Sequence, residues 1–508
     1  MKQACHAIGQ HGYVAGHHLV LNDNNWAVMF SIRRSFAWMA LSQGGLFVLQ
    51  FGTSVLLAWL LTPYEMGVFA VAMAIVGLLS ILRSLGLSGY IVRAKELTLT
   101  LQASVFTVNA VLAIFVSALT VGLSTIGGAL LGEPGVRRLL MVVAVLPLVN
   151  IFDLLPATGL ERSGNFRVIA LLNLLRTVVA NAVTLSSAYV GFSYMSLAYG
   201  QIAGAFVWVI AVNIIGRQYA CFRFGLAAWR DIMNYGLQML AISGITALAS
   251  RLAELLLGRI LGLEALGIYS RASSLNSQIW DNVHVIITRI IFVDLAEKKR
   301  QNLSLRDSYL RVMEMTTALL WPAFTGLAVI AGPVVLVLYG QAWVGAALPL
   351  SFLSLSAVIL VSITMTWEVF VVCRETARQA QFEFIRAGVG LAMFVVGCFI
   401  SLPGAAVARV GEAMFAVFIY RPHLERMTDT TLRDSIPIYL HSAMLTALAV
   451  LPAVVVMTIY SWSPATPFPA VLIAVFLGMI GWGFGLRALQ HPLFHEVRLI
   501  VSKLSQSR

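Results

Sequence analysis

A series of apolar stretches, recurring from Phe36 to the C-terminal region, constrains this chain more than any other feature. Each stretch holds roughly 20 residues, enough for a helix to cross about 30 Å of hydrocarbon. Hydrophobic residues make up 59% of the chain and charged residues only 11%, which excludes a soluble globular domain. Because helices satisfy their own backbone groups in lipid, the sequence predicts an all-α polytopic membrane protein.

About 14 of these stretches have the length of a membrane span. The predicted spans are 36–61, 64–82, 101–131, 139–160, 166–190, 194–215, 233–261, 266–293, 309–339, 346–373, 382–402, 405–420, 436–460 and 467–489. The predicted fold is therefore a bundle of about 14 transmembrane helices.

Basic residues are concentrated in alternate loops, and the opposite set of loops contains only Arg137 and Arg138 as basic residues. By the positive-inside rule, we expect both termini of this multi-pass protein to be cytoplasmic. The same bias explains the net charge of +12 without nucleic acid as a partner. The outer loops, roughly 4 to 10 residues long, leave no room for a soluble catalytic domain on that side.

The first 30 residues are polar and have no long apolar core, so we interpret 1–30 as a cytoplasmic tail rather than a signal peptide. An alternative is that translation starts at Met29, which precedes a short basic lead into the first span. The four cysteines form no CxxC pair, and Pro492 interrupts the helix between His491 and His495. The sequence therefore predicts no metal site and no cofactor.

An internal duplication relates the two halves of the chain. The segment LLAWLLTPYEMGVFAVA, starting at Leu56, matches LLGRILGLEALGIYSRA, starting at Leu256, and aligns Gly67 with Gly267. Each unit would hold six spans, an even number, so the units are parallel repeats related by an axis along the membrane normal. We expect two parallel six-helix lobes around a central cavity, plus two C-terminal helices, which is a geometry suited to alternating access.

This duplication divides the chain into six parts. They are the cytoplasmic tail 1–30, the N-lobe 31–216 with spans 1 to 6, the cytoplasmic linker 217–231, the C-lobe 232–421 with spans 7 to 12, the region 422–489 with spans 13 and 14, and the cytoplasmic tail 490–508. The last two spans lie outside the repeat, where they either flank the cavity or stabilise one lobe.

Polar and charged side chains inside the predicted spans are the candidate substrate contacts, because they are costly in lipid. The cavity candidates are Arg251, Gln43, Gln50, Arg176, Glu254, Arg271 and Arg409. Arg251 leads this set because it lies deepest in its span. An alternative is structural, since Arg251 and Glu254, like Arg409 and Glu412, are three residues apart and positioned to form ion pairs.

Guanidinium groups bind phosphate through a planar, bidentate fork, so several arginines around a cavity suit a phosphate-bearing headgroup. Motifs of nucleotide hydrolysis or of hydrolytic enzymes are absent from the sequence, including GxxxxGK[ST], HExxH and GxSxG. The sequence thus predicts a transporter that is not an enzyme.

Two segments carry a resemblance to a known family. Residues 56–97, LLAWLLTPYEMGVFAVAMAIVGLLSILRSLGLSGYIVRAKEL, resemble the opening spans of Wzx-type flippases of the polysaccharide transport family. Residues 257–279, LGRILGLEALGIYSRASSLNSQI, are similar to the start of that family's second lobe. The family lies within the multidrug/oligosaccharidyl-lipid/polysaccharide exporter (MOP) superfamily.

The resemblance implies that an undecaprenyl-pyrophosphate-linked oligosaccharide crosses the inner membrane for exopolysaccharide, lipopolysaccharide or capsule synthesis. The implied partners are this lipid-linked oligosaccharide, membrane lipid, a polysaccharide polymerase and glycosyltransferases. Two alternatives stay open: a cation-coupled multidrug exporter of the same superfamily, and a membrane enzyme such as a polymerase. The exporter is expected to bury unpaired carboxylates, whereas the embedded acids here nearly balance the arginines in number.

Overall fold

The computed structural model describes residues 44–83, 86–94, 97–131, 133–301 and 303–494, and their regular secondary structure is helical. The helices are α1 (Gly44–Leu60), α2 (Pro63–Arg83), α3 (Leu87–Arg93), α4 (Leu99–Leu131), α5 (Pro134–Val143), α6 (Val145–Val149), α7 (Leu154–Arg162), α8 (Phe166–Tyr189), α9 (Met195–Ile215), α10 (Trp229–Leu261), α11 (Leu263–Arg300), α12 (Arg306–Val329), α13 (Ala331–Tyr339), α14 (Ala347–Val361), α15 (Thr366–Val372), α16 (Thr376–Ile400), α17 (Leu402–Thr428), α18 (Leu432–Ile459) and α19 (Phe468–Ala488). We call α1–α9 the first half and α10–α19 the second half.

Each predicted span coincides, where described, with one helix or with consecutive helices. Ten helical segments of the described residues are long and apolar enough to cross a membrane, or 11 if a bent helix pair counts as one span. The helices α10 and α11 are also long enough but are not among these ten segments. The all-helical membrane architecture is thus confirmed, while the count of 14 spans and the two-lobe arrangement stay predictions.

One predicted span, 139–160, is broken rather than continuous. Its two parts, Pro134–Val149 and Leu154–Arg162, meet at an angle of 50°. Pro156 contributes to this break because it has no N–H to donate to the carbonyl of Phe152, four residues earlier. The side-chain amide of Asn213 donates to that carbonyl instead, at 3.0 Å.

The second half contains a comparable break. The predicted span 346–373 divides into α14 and α15, with Met365 in the left-handed region at φ 61°. Here the hydroxyl of Tyr439 on α18 donates to the carbonyl oxygen of Ser362 at 2.7 Å. Both breaks therefore expose backbone carbonyls that side chains from neighbouring helices satisfy, as is required where water is excluded.

The two halves meet where α2 packs against α10 and α11. A buried apolar cluster continues across this contact and includes Val68 and Val71 from α2 with Leu257 and Leu266 from α10 and α11. We call the facing surfaces of α1, α2, α10 and α11 the inter-half seam. It positions three of the candidate site residues described below, Arg251, Glu254 and Arg271.

Candidate functional site

The inter-half seam contains a reciprocal contact between equivalent residues of the predicted repeat. A Cβ atom on Gly67 would overlap the carbonyl oxygen of Leu263, and a Cβ atom on Gly267 would overlap the carbonyl oxygen of Pro63. The alignment that matches Gly67 with Gly267 also matches Pro63 with Leu263. Each helix therefore presents its glycine to the first residue of the other, as a local two-fold relation requires.

Two tryptophans join α1 to the second half next to this crossing. The indole N–H of Trp343 donates to the carbonyl oxygen of Ala58 at 2.8 Å, and the indole N–H of Trp59 donates to the carbonyl oxygen of Leu338 at 2.9 Å. The adjacent residues Ala58 and Trp59 thus supply one acceptor and one donor. We call these two bonds and the glycine crossing the outer closure, because they lie at the end predicted to face outward.

Arg271 lies one helical turn beyond Gly267 and is 5% exposed. Its Nη1 donates to the hydroxyl of Ser54 at 2.6 Å and to the Ser54 carbonyl at 3.1 Å. The guanidinium carbon lies 5.2 Å from the ring centre of Tyr339 and 5.1 Å from that of Trp343. The Nε and Nη2 atoms have no hydrogen-bond partner among the described residues, so this buried guanidinium has N–H groups that donate no hydrogen bond.

Arg251 and Glu254 form the ion pair that their spacing predicts, at 2.9 Å on α10. The side chains are 40% and 30% exposed, so the pair is not sealed inside a helix contact. Arg251 extends across α2 at Gly77, where an added Cβ would lie 2.6 Å from its Nε. The structure therefore places this pair on the inter-half seam, where both side chains are partly exposed.

Arg409 and Glu412 also pair, at 2.6 Å, but as part of a longer chain of charges between α16 and α17. The other carboxylate oxygen of Glu412 lies 3.3 Å from Nε of Arg386, which pairs in turn with Glu383 at 3.4 Å. Arg409 Nε also donates to the hydroxyl of Tyr269 on α11 at 3.3 Å. These contacts favour the structural alternative for Arg409, as a link between α11, α16 and α17.

Two candidate glutamines lie on or before α1. Gln50 is exposed on α1, and Gln43 lies outside the described residues. The histidine pair His491 and His495 is described only in part. His491 lies 3.6 Å from Glu314, while His495 falls outside the described residues. Burial and the nearby His441 lower the pKa of His491, which favours its neutral form.

The break at 150–153 gathers polar residues that the sequence did not single out as a site. Three consecutive carbonyl oxygens there accept hydrogen bonds from three different helices. The bonds run from Arg83 to Asn150 at 2.7 Å, from Asn109 to Ile151 at 3.2 Å and from Asn213 to Phe152 at 3.0 Å. At the end of the break, Asp153 accepts a bond from the indole N–H of Trp208 at 3.0 Å.

An apolar groove of about 390 Å³ lies beside the seam, between α11, α12, α18 and α19. Its lining includes Ile279, Pro322, Gly326, Val450, Gly478 and Trp482. The helix α11 contributes Ile279 to this groove and Gly267 to the seam, so the two surfaces share one helix. The two C-terminal spans therefore line one side of this apolar groove.

The fold is that of the membrane transporters of the MOP superfamily. The solved structure of the lipid II flippase MurJ in an inward closed conformation aligns with 88% of this chain and with 98% of its own length. The TM-score is 0.71 at 12% sequence identity. An inward-facing multidrug resistance MATE family transporter covers 76% of this chain and 96% of its own, with a TM-score of 0.54 at 14% identity. At these identities the likeness shows the fold alone.

The chain belongs to the family described as "Polysaccharide biosynthesis protein", which matches residues 56–348. The succinoglycan biosynthesis transport protein ExoT of Rhizobium meliloti is 26% identical over 65% of this chain and 67% of its own length. The lipopolysaccharide biosynthesis protein WzxC of Escherichia coli is 24% identical over 56% of this chain and 59% of its own length. The predicted membership among Wzx-type polysaccharide flippases of the MOP superfamily is thereby confirmed.

Proposed function

We propose that this protein moves an undecaprenyl-pyrophosphate-linked oligosaccharide from the cytoplasmic to the outer leaflet of the bacterial inner membrane, with both termini in the cytoplasm. The relatives support the pathway class, since ExoT is named for succinoglycan transport and WzxC for lipopolysaccharide biosynthesis. In this proposal the glycosyltransferases that build the oligosaccharide act before the protein, and a polymerase acts after it.

The observation that carries the proposal is the position of a charged seam beside an apolar groove. A lipid-linked oligosaccharide has a charged, sugar-bearing head and a long hydrocarbon tail. The partly exposed Arg251–Glu254 pair offers charge and hydrogen bonding to the head. The groove lined by α12, α18 and α19 offers an apolar surface to the tail. The shared helix α11 keeps the two surfaces next to each other.

Alternating access supplies the mechanism. With the outer closure formed, the seam accepts the headgroup from the cytoplasmic side. Rocking of the N-lobe 31–216 against the C-lobe 232–421 then breaks the Trp59 and Trp343 bonds and opens the seam outward. Spans within 422–489 hold the tail near the C-lobe throughout. Glu254 and Glu412 are paired with arginines and Asp153 with Trp208, so these acids do not favour a cation-binding drug site.

The test is the sidedness of the lipid-linked oligosaccharide in cells that lack this protein. We expect it to accumulate in the cytoplasmic leaflet and to be moved outward again when the wild-type protein is supplied. Arg251→Ala should fail to restore it, whereas Arg259→Ala, an exposed arginine near the outer end of the same helix, should restore it. Unchanged sidedness in the deletion strain, with no second flippase present, would contradict the proposal.

A further inference from the structure

The helices α8 and α9 form a hairpin. Small residues pack it closely over part of its length, and a tryptophan occupies the contact further along. Gly200 approaches Thr184 and the carbonyl of Ala180, and Gly204 approaches Ala180 and the backbone of Arg176. Small residues four apart allow such close helix packing in membranes. One turn further along α9, the next position is occupied by Trp208, whose indole fills the contact. Arg176 lies on this indole, with its guanidinium carbon 5.9 Å from the ring centre.

Arg176 is exposed although it lies near the middle of an apolar helix. Among the described residues, no carboxylate forms an ion pair with Arg176. The carboxylate of Asp153 is close enough to interact with its charge. An exposed arginine at this depth is costly in lipid and is expected to face a polar cavity or a ligand. The guanidinium fork suits an oxyanion, and a lipid diphosphate is the anion that the proposed function supplies.

The indole under Arg176 is itself fixed in place. Its N–H donates to Asp153 at 3.0 Å, and the ring is 7% exposed. Asp153 ends the broken segment whose carbonyls are bonded by Arg83, Asn109 and Asn213. A chain of contacts therefore runs from a rigid break in the backbone, through Asp153 and the indole, to the exposed guanidinium.

We propose that Arg176 contacts the diphosphate of the substrate in the first half of the chain, and that Asp153, acting through Trp208, is a positioning residue for it. This inference rests on the proposed function, because that function supplies the diphosphate. Asp153 does not touch the ligand; its carboxylate holds the indole so that Arg176 has a flat surface to lie on. A guanidinium held over an aromatic face by a cation–π contact keeps N–H groups free to donate.

The test uses the full-length protein in nanodiscs and measures binding of undecaprenyl diphosphate, with undecaprenol as the uncharged probe. We expect Arg176→Ala to weaken diphosphate binding roughly tenfold, since a charge-assisted, bidentate contact is lost. Arg176→Lys should restore part of the affinity because it keeps the charge but not the fork. Arg217→Ala, which changes an exposed arginine after α9, should leave binding unchanged.

The positioning role is tested by a double-mutant cycle. Asp153→Ala and Trp208→Phe should each weaken binding by roughly threefold to fivefold, and Asp153→Asn, which keeps an acceptor oxygen, by less. In the Arg176→Ala background, Asp153→Ala should have no further effect. An equal loss in both backgrounds would overturn the positioning role, because a purely structural defect does not depend on Arg176.

The outcomes separate this inference from the function on which it rests. If the wild-type protein binds undecaprenyl diphosphate no better than undecaprenol, the proposed function fails. If the wild type prefers the diphosphate and Arg176→Ala binds it equally well, the function stands and the assignment of Arg176 is overturned. Thermal unfolding of each variant checks that the fold is retained, and Asp153→Asn gives a second variant with conserved geometry.

Discussion

Gly67 and Gly267 occupy equivalent positions of the internal repeat, and each lies against the first residue of the helix that carries the other. This relation has a simple physical consequence. Neither position has room for a methyl group while α2 and α11 remain in contact. The two helices cross at the outer end of the inter-half seam. The closed state therefore requires glycine at both positions.

Gly67→Ala and Gly267→Ala should each weaken the outer closure by a similar amount. Overpacking of a tight contact typically costs about 1–3 kcal/mol, and here the cost falls on the closed state. Cysteine labelling at the outer end of the seam should therefore become faster in both variants. Gly122→Ala is the matched control, because a Cβ at that helical position meets nothing within 4 Å. Unchanged labelling in both seam variants would show that the crossing does not control opening.

Trp343→Phe should loosen the same closure by a different route. The change keeps an aromatic ring beside Arg271 but removes the donor to the buried carbonyl of Ala58. Loss of one such bond is expected to cost about 1 kcal/mol. The same labelling assay should report a smaller effect than for Gly67→Ala. Trp462→Phe, an exposed loop tryptophan, is the control, and an equal effect there would argue against a specific role for Trp343.

Arg271→Met should separate stability from transport. Arg271 is buried, has two guanidinium nitrogens without partners, and is stabilised chiefly by Ser54 and two aromatic rings. Replacing a poorly compensated buried charge by an apolar side chain is often neutral or stabilising, by up to about 4 kcal/mol. We expect an unchanged or higher thermal unfolding temperature together with loss of transport. A variant that transports normally would show that the arginine has no function in the cycle.

Gly326→Leu should block the apolar groove without disturbing the helix packing. A Cβ at Gly326 meets only Val450, at 3.9 Å, so a larger side chain has space to enter the groove. Transport of a long-tailed substrate should fall while the affinity for a short-chain analogue is retained. Gly483→Leu on α19 is the control, since a Cβ there meets nothing within 4 Å. Equal loss for both chain lengths would indicate a general defect rather than a tail site.

The sequence predicted the helices well, because hydropathy and length act locally. It also predicted the pairing of Arg251 with Glu254 and of Arg409 with Glu412, because three-residue spacing alone brings those side chains together. It missed the break at 150–153, although Pro156 was a signal, because the carbonyl partners of the break come from distant helices. The contact of Asp153 with Trp208 depends on the same tertiary packing.

The most direct test of the central claim is a flipping assay with the purified protein in liposomes that contain the undecaprenyl-pyrophosphate-linked oligosaccharide in both leaflets. A reagent that modifies exposed sugars and does not cross the membrane reports the accessible fraction over time. We predict that wild-type protein makes the whole pool accessible, whereas Arg251→Ala liposomes and protein-free liposomes stop at the outer-leaflet fraction. Equal accessibility with and without the wild-type protein would contradict the account.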